Sequence, residues 1–313
     1  MTVYNYYTRY KLIFLVLLTV IYLPFFFFFT LMASTYHSVI GGWIDLLFVV
    51  SYIYWIFMTG AWSWVGYYLR WLILILCVPI VIHVLTSLTS LPLWNGFSFD
   101  IAINLTLLII FTFLIFQTWK GKKEPAKTLV LDFPFKNGKY IIGQGGSSAI
   151  VNRHYHHASQ RYAMDIVKLN KWGFRARSIY PAKKEDYFIW NDPVYSPCDG
   201  TITKVDYGYK DFDPPQMDKK NPAGNHIAIQ FAEGTLYLAH LRKNGIAVKE
   251  GDKIFKGDLI GYIGNSGNTT EPHLHIHAES GSSGESINNQ AGLPIKFGEH
   301  FLKRNDILKY RVV

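Results

Sequence analysis

The residues best suited to chemistry in this chain stand in Pro272-His273-Leu274-His275-Ile276-His277, with a separate histidine, His240, closing Tyr237-Leu-Ala-His240. Histidines at i and i+2 of an apolar strand project to the same side of a sheet. Two imidazoles on one strand face, joined by a third from a neighbouring strand, suit the holding and use of a zinc ion. A catalytic zinc site takes three protein ligands and leaves one position for water. His275 is the first candidate ligand. His273 and His240 are candidates for acting on the attacking water or the developing oxyanion. Asp165, in Gln160-Arg-Tyr-Ala-Met-Asp165-Ile-Val, places a carboxylate among apolar neighbours. Such a position is costly unless the charge is paired or bound to metal. The run His154-Tyr-His156-His157 is the natural source of a further ligand. His226, His277 and His300 read as structural or surface histidines, and His83 as a packing residue.

The elements that must position these side chains are short. Ala163–Val167, Gly200–Val205, Gly234–Ala239 and Leu259–Ile263 are apolar runs bounded by Gly, Pro, Asn or Asp. Regular punctuation of that kind predicts a mainly antiparallel all-β domain with long loops. Gly143-Gln-Gly-Gly-Ser-Ser and the stretch from Asp211 to Gly224 carry turn chemistry. Lys120-Gly-Lys-Lys-Glu-Pro-Ala-Lys reads as an exposed linker, since its charge and proline disfavour both membrane and helix.

The rest of the chain is of another kind. Of 31 basic and 22 acidic residues, three basic (Arg9, Lys11, Arg70) and two acidic (Asp45, Asp100) precede Trp119, leaving a net +8 beyond it. Four apolar stretches, Leu12 to Ala33, Trp43 to Trp62, Trp71 to Leu91 and Ile101 to Phe116, have or approach the roughly 20 residues that cross a hydrocarbon core. Tryptophans cluster near their ends, as amphipathic rings do at an interface. The expectation is a bundle of about four transmembrane helices in contact with a lipid bilayer, joined to a soluble domain. Two cysteines, Cys77 and Cys198, show neither a disulfide framework nor metal spacing.

From about Tyr140 to Glu279 the chain resembles the M23 zinc metallopeptidases, the lysostaphin-like peptidoglycan endopeptidases. The resemblance rests on Asp192-Pro-Val-Tyr-Ser-Pro-Cys-Asp-Gly-Thr-Ile, Tyr237-Leu-Ala-His240-Leu, Val248-x-x-Gly-Asp, Gly261-x-x-Gly-Asn-Ser-Gly-Asn and Pro272-His-Leu-His275. It implies Zn2+ as cofactor, His275 as a zinc ligand, and His273 and His240 as catalytic residues. It also implies a first pair of ligands spaced His-x-x-x-Asp, where this chain has Arg161 four residues before Asp165. A subgroup with a longer loop fits better, and on it His154 is the expected ligand, followed by His157 and His156. Arg161 then reads as a solvated strand residue.

Composition and the resemblance together divide the chain into a transmembrane anchor (1–118), a linker and first strand (119–139) and an M23-like domain (140–313). It implies hydrolysis of peptide bonds in bacterial peptidoglycan stems or cross-bridges, and no nucleic-acid partner is expected. A catalytically inactive scaffold of a cell-envelope complex is the alternative, motivated by the missing His-x-x-x-Asp. A biotinyl- or lipoyl-type carrier matches the Gly-Asp hairpins but has no use for His240, His273 and His275. The expected location is a bacterial cell membrane. With four spans, the N-terminus, Arg70 and the lysine linker share one side, which the positive-inside rule assigns to the cytoplasm. A wall hydrolase acts outside, and on the resemblance the extracytoplasmic side is the expectation.

Overall fold

The computed structural model describes residues 3–281 and 290–310. Four helical segments are long and apolar enough to cross a membrane: Tyr7–Ala33, Val39–Thr59, Leu69–Ser87 and Phe99–Gly121. The first combines α1 (Val3–Leu17) and α2 (Leu23–Ala33) through a π-helical turn, Leu18–Tyr22. α3 is Val39–Thr59, α4 the single turn Trp62–Val65, α5 Leu69–Ser87 and α6 Phe99–Gly121. Ser38 and Ser98 cap α3 and α6, each accepting a backbone N–H three residues on. α6 runs past the apolar stretch read from the sequence, into the lysine-rich linker. Ser98 and Asp100 favour its start and Lys120 its end, complementing the helix dipole. Between the helices lie edge-to-face aromatics: Phe27 stands 5.1 Å from Phe48 and 5.0 Å from Tyr52, and Tyr52 stands 5.2 Å from Phe111. Phe14, Phe26, Phe29, Ile75 and Phe113 point outward and are exposed, as side chains facing lipid would be.

The remainder is β-structure: β1 (Leu129–Leu131), β2 (Gly138–Gln144), β3 (Met164–Leu169), β4 (Pro193–Tyr195), β5 (Gly200–Asp206), β6 (Asn225–Phe231), β7 (Gly234–Ile246), β8 (Lys253–Ile254), β9 (Leu259–Ile263), β10 (Leu274–Glu279), β11 (Gly292–Leu293), β12 (Ile295–Phe297) and β13 (Ile307–Tyr310). Eleven of these form one antiparallel sheet whose main path is β13-β2-β3-β10-β7-β6-β5-β8. β1 and β12 pair parallel and stand apart from it. Arg161, read as a strand residue, lies in the turn before β3, exposed and 5.1 Å from the Tyr155 ring.

The two faces of the central strands have different tasks. Leu274, Ile276 and Ala278 of β10, with Met164 and Ile166 of β3 and Leu236 and Leu238 of β7, enter the core of the domain. The alternate residues, His275, His277, Glu279 and Asp165, share the opposite face, as the two-residue period of a strand requires. That opposite face continues onto Val167, Leu169 and Ile141, which pack into the cluster formed by the long helices. One sheet face therefore carries the polar site at its centre and meets the helical bundle at its edge.

Candidate metal centre

Strand register brings the polar residues together. On β10, His275 is directly opposite Asp165 of β3 on one side and Ala239 of β7 on the other. Its Nδ1 lies 3.0 Å from Asp165 Oδ1. The third member comes from a loop. Asn152, fully buried, accepts the His154 backbone N–H and donates its own amide to the carbonyls of Gly146, Arg161 and Ala163. That clamp starts the short 3-10 turn Arg153–His156 and sets His154 Nε2 3.0 and 3.1 Å from the two Asp165 oxygens. His156 and His157 are exposed; His157 faces the cleft and His156 stays outside it.

One atom each from His154, Asp165 and His275 lies within 4.8 Å of the others. Two imidazole nitrogens and a carboxylate oxygen suit zinc, and both imidazoles stand 3.0 to 3.1 Å from the carboxylate, near the roughly 3.3 Å edge of a tetrahedron with zinc-ligand arms. The donor set fits the ion that the sequence reading expects. Burial alone would raise the Asp165 carboxyl, but His154 and His273 outweigh it and hold the group well below the usual carboxylate range. Burial pushes His275 down to about 3, so its ring is neutral and has a lone pair to give.

His240 reaches the site through a break in the strand pattern. Leu238 pairs with Ile227 and Leu241 with Asn225, so β7 carries one extra residue against β6. Strict alternation would turn His240 to the core beside Leu238. The bulge, with His240 at φ 64°, turns its ring instead to within 4.8 Å of His273 and 5.8 Å of His275. A non-glycine residue in that region costs on the order of 1 kcal/mol, and such conformations gather at functional sites. His240 Nδ1 donates to the Ser266 carbonyl at 2.9 Å, which leaves Nε2 as the basic nitrogen. The Ser266 loop is seated by two glycines: a Cβ on Gly224 would come 2.4 Å from the Ser266 carbonyl carbon, and one on Gly267 would come 2.5 Å from the Gly224 nitrogen. Burial first, then the neighbouring imidazoles His273 and His275, push His240 far below its ordinary value.

His273 stands just before β10. Its Nδ1 donates to the Glu271 carbonyl at 2.9 Å and lies 3.1 Å from Thr269 Oγ1, while its Nε2 is 3.5 Å from Asp165. Burial would lower this imidazole, but the Asp165 charge and the Glu271 contacts outweigh it and raise the group above its ordinary value. The two outer histidines are thus held in opposite states, His240 neutral and His273 prone to carry a proton.

His154, His240 and His275 line a cleft of about 680 Å³ bordered also by Tyr237, Lys204 and Lys220, and Asp165 and His273 touch these three from outside its lining. Two residues of the same face had no role in the sequence reading. His275 Nε2 is 3.1 Å from His277 Nδ1, and His277 Nε2 is 3.1 Å from Glu279 Oε1, all buried, with Tyr237 stacked on His277 at 5.0 Å. The signal for them was present: the His-x-His-x-His period continues to Glu279.

Residues 186–289 match the model of peptidase family M23. The chain is 33% identical over 132 residues to the peptidoglycan DD-endopeptidase ShyA of Vibrio cholerae, covering 38% of this chain and 26% of that protein. It is 33% identical over 155 residues to an uncharacterized metalloprotease of Haemophilus influenzae, covering 49% of this chain and 29% of the other. The matches thus span little more than a quarter of these relatives' length. Among solved structures, a zinc-containing peptidase from Vibrio cholerae aligns at TM-score 0.29 and 23% identity over 49% of this chain and 36% of that one. The catalytic domain of lysostaphin from Staphylococcus simulans aligns at TM-score 0.25 and 22% identity over 36% of this chain and 80% of the other.

Proposed function

We propose, from a chain that carries a peptidase family M23 domain, that this protein is a membrane-anchored, zinc-dependent endopeptidase acting on peptide bonds of bacterial peptidoglycan. The observation that carries the reading is the convergence of His154, Asp165 and His275, with His273 and His240 packed against them. A zinc ion held by His154, Asp165 and His275 would supply a Lewis acid that polarises a carbonyl and makes water nucleophilic near neutral pH.

The chain's own residues do the rest. His240 is neutral with its basic nitrogen at Nε2, and takes a proton from the attacking water. His273 faces the same space with its Nδ1 fixed by Glu271. It donates from Nε2 to the carbonyl oxygen as charge develops, and the leaving amine is protonated from this pair. Asp165 Oδ1 lies 3.5 Å from His273 Nε2, which keeps that imidazole turned toward the ligand set. The similarity to a relative named as a peptidoglycan DD-endopeptidase supports this choice of substrate. The net +8 beyond Trp119 suits an anionic wall polymer. Such a substrate places the domain on the extracytoplasmic side, with the four long helices spanning the membrane.

A catalytically silent scaffold was motivated by the missing His-x-x-x-Asp. The loop from Arg153 to Ala163 puts His154 against Asp165 despite the longer spacing, and no observation of the site favours that alternative. The test is zinc content and digestion of purified sacculi by the full-length protein in detergent. About one zinc per chain and released cross-link fragments are expected, both lost in His275→Ala. A folded wild-type protein with neither zinc nor product would overturn the reading.

A further inference from the structure

The loop joining the second and third long helices packs against residues that support the site. α4, at the turn between them, presents Trp64. The Arg175 guanidinium lies 3.9 Å over its ring, and Tyr180 stacks on it at 4.9 Å with planes only 8° apart. Arg175 is 2% exposed and grips Glu271 through Nε at 2.9 and 3.0 Å and Nη2 at 2.6 Å. Tyr180 donates its hydroxyl to the Thr270 carbonyl at 2.8 Å. The segment so held, Thr269 to Glu271, supplies the two groups that contact His273 Nδ1. From the membrane side, Arg9 Nε of α1 donates to the Tyr180 carbonyl at 2.7 Å, and the Arg175 N–H donates to the Ser63 carbonyl at 3.2 Å.

These contacts form one continuous stack: the helical bundle, Trp64, Arg175 and Tyr180, then Glu271 and Thr270, then His273. Each link restricts the next. A guanidinium sandwiched on an indole and bidentate to a carboxylate has little orientational freedom, because its planar fork fixes both partners. A buried ion pair of this kind is weak evidence for net stability, whereas its bidentate geometry restrains both partners.

We infer that Trp64 is a positioning residue: the turn between the second and third long helices orders the Thr269–Glu271 segment and thereby sets the angle of the His273 imidazole. The bundle is then a part of the catalytic apparatus as well as an anchor. This rests on the proposed role of His273 for its kinetic consequence, but the ordering of the segment stands independently of it.

The experiment compares full-length wild type, Trp64→Ala, Trp64→Phe and Tyr180→Phe in one detergent. It measures hydrogen–deuterium exchange over 269–273, zinc content, and kcat and KM on purified sacculi. Trp64→Ala should speed exchange in that segment and lower kcat by about 10²-fold, as displacing a catalytic group by about 1 Å does. KM and zinc content should hold, and Trp64→Phe, which keeps a stacking ring, should recover most of the loss. Tyr180→Phe keeps the stack and removes only the bond to Thr270, so it serves if Trp64→Ala fails to fold; faster exchange in the segment is expected there too. Wild-type exchange and kcat in the folded variants would overturn the inference, as would a loss confined to KM or zinc. If wild type cleaves no wall substrate, the hydrolase reading fails, and the exchange comparison still decides the coupling.

Discussion

His277 Nδ1 lies 3.1 Å from His275 Nε2, one strand period along the same buried face, and His277 in turn meets Glu279 at 3.1 Å. The ring nitrogen of His275 that faces away from Asp165 is therefore held by a second imidazole, and that imidazole by a carboxylate. Partners of this kind fix the tautomer and orientation of a metal-binding histidine. Glu279→Gln should weaken zinc affinity by about 10- to 100-fold while leaving the sheet intact. Competition against a chelator of known affinity measures it. An unchanged affinity would mean that the relay merely satisfies buried polar groups.

The contested ligand can be separated from its neighbours. His154→Ala should lose zinc, whereas His157→Ala and His156→Ala should keep about one ion per chain. The reason is placement: His154 Nε2 meets both Asp165 oxygens, while the other two rings are exposed. Zinc retained in His154→Ala and lost in His157→Ala would reassign the position.

His240→Ala should retain zinc and lower kcat by about 10²- to 10⁴-fold, the range for removing a general base. Metal analysis beside turnover on sacculi distinguishes this from a ligand loss. Zinc lost from His240→Ala would show that the bulged β7 residue is needed for the metal site itself.

The metal-free protein should lose stability in mild acid. His226 and His277 are buried and held below their ordinary values, burial being the first cause for each. Such a group binds a proton more readily unfolded than folded. Its contribution is therefore complete above the unfolded value of about 6.5 and is lost as pH falls below it. His273 has the opposite shift and its contribution fades as pH rises, but it is one group against several. Thermal midpoints of the chelator-treated protein should fall between about pH 7 and about pH 5.5. His226→Phe should flatten the fall. A midpoint rising through that interval would contradict the assignment of neutral buried rings.

Orientation is tested with a reporter fused after Val313. The proposed function requires a reporter that matures outside the membrane to be active and one confined to the cytoplasm to be silent. The opposite result would keep the site's chemistry but remove peptidoglycan as its substrate. Two of the basic residues that speak for the cytoplasmic side, Arg70 and Arg9, have protein partners. Arg70 is buried against Tyr67 and Phe57, and Arg9 is bound to Tyr180.

The sequence by itself determined the two-part character of the chain, several of its strands and the candidate residues of the site. Hydrophobicity is additive along a helix, so four apolar stretches announced four long helices, although the capped ends of α6 extended the last one beyond its apolar run. The period of two in β10 is local, so it placed His275 on the face opposite Leu274 and Ile276 without help from other strands. Three matters needed the tertiary structure. His154 had no sequence spacing that fixed its partner; the Asn152 clamp on Gly146, Arg161 and Ala163 did, through bonds that span up to eleven positions. His240 sits where alternation would bury it in the core, and only the mismatch of β7 against β6 turns it to the cleft. Arg175 and Glu271, 96 residues apart, give no sequence sign of their union, nor does either point to Trp64. Periodicity and composition are properties of neighbours along a chain, whereas a bulge, a loop closure and a docked helix turn depend on which distant segment arrives beside them.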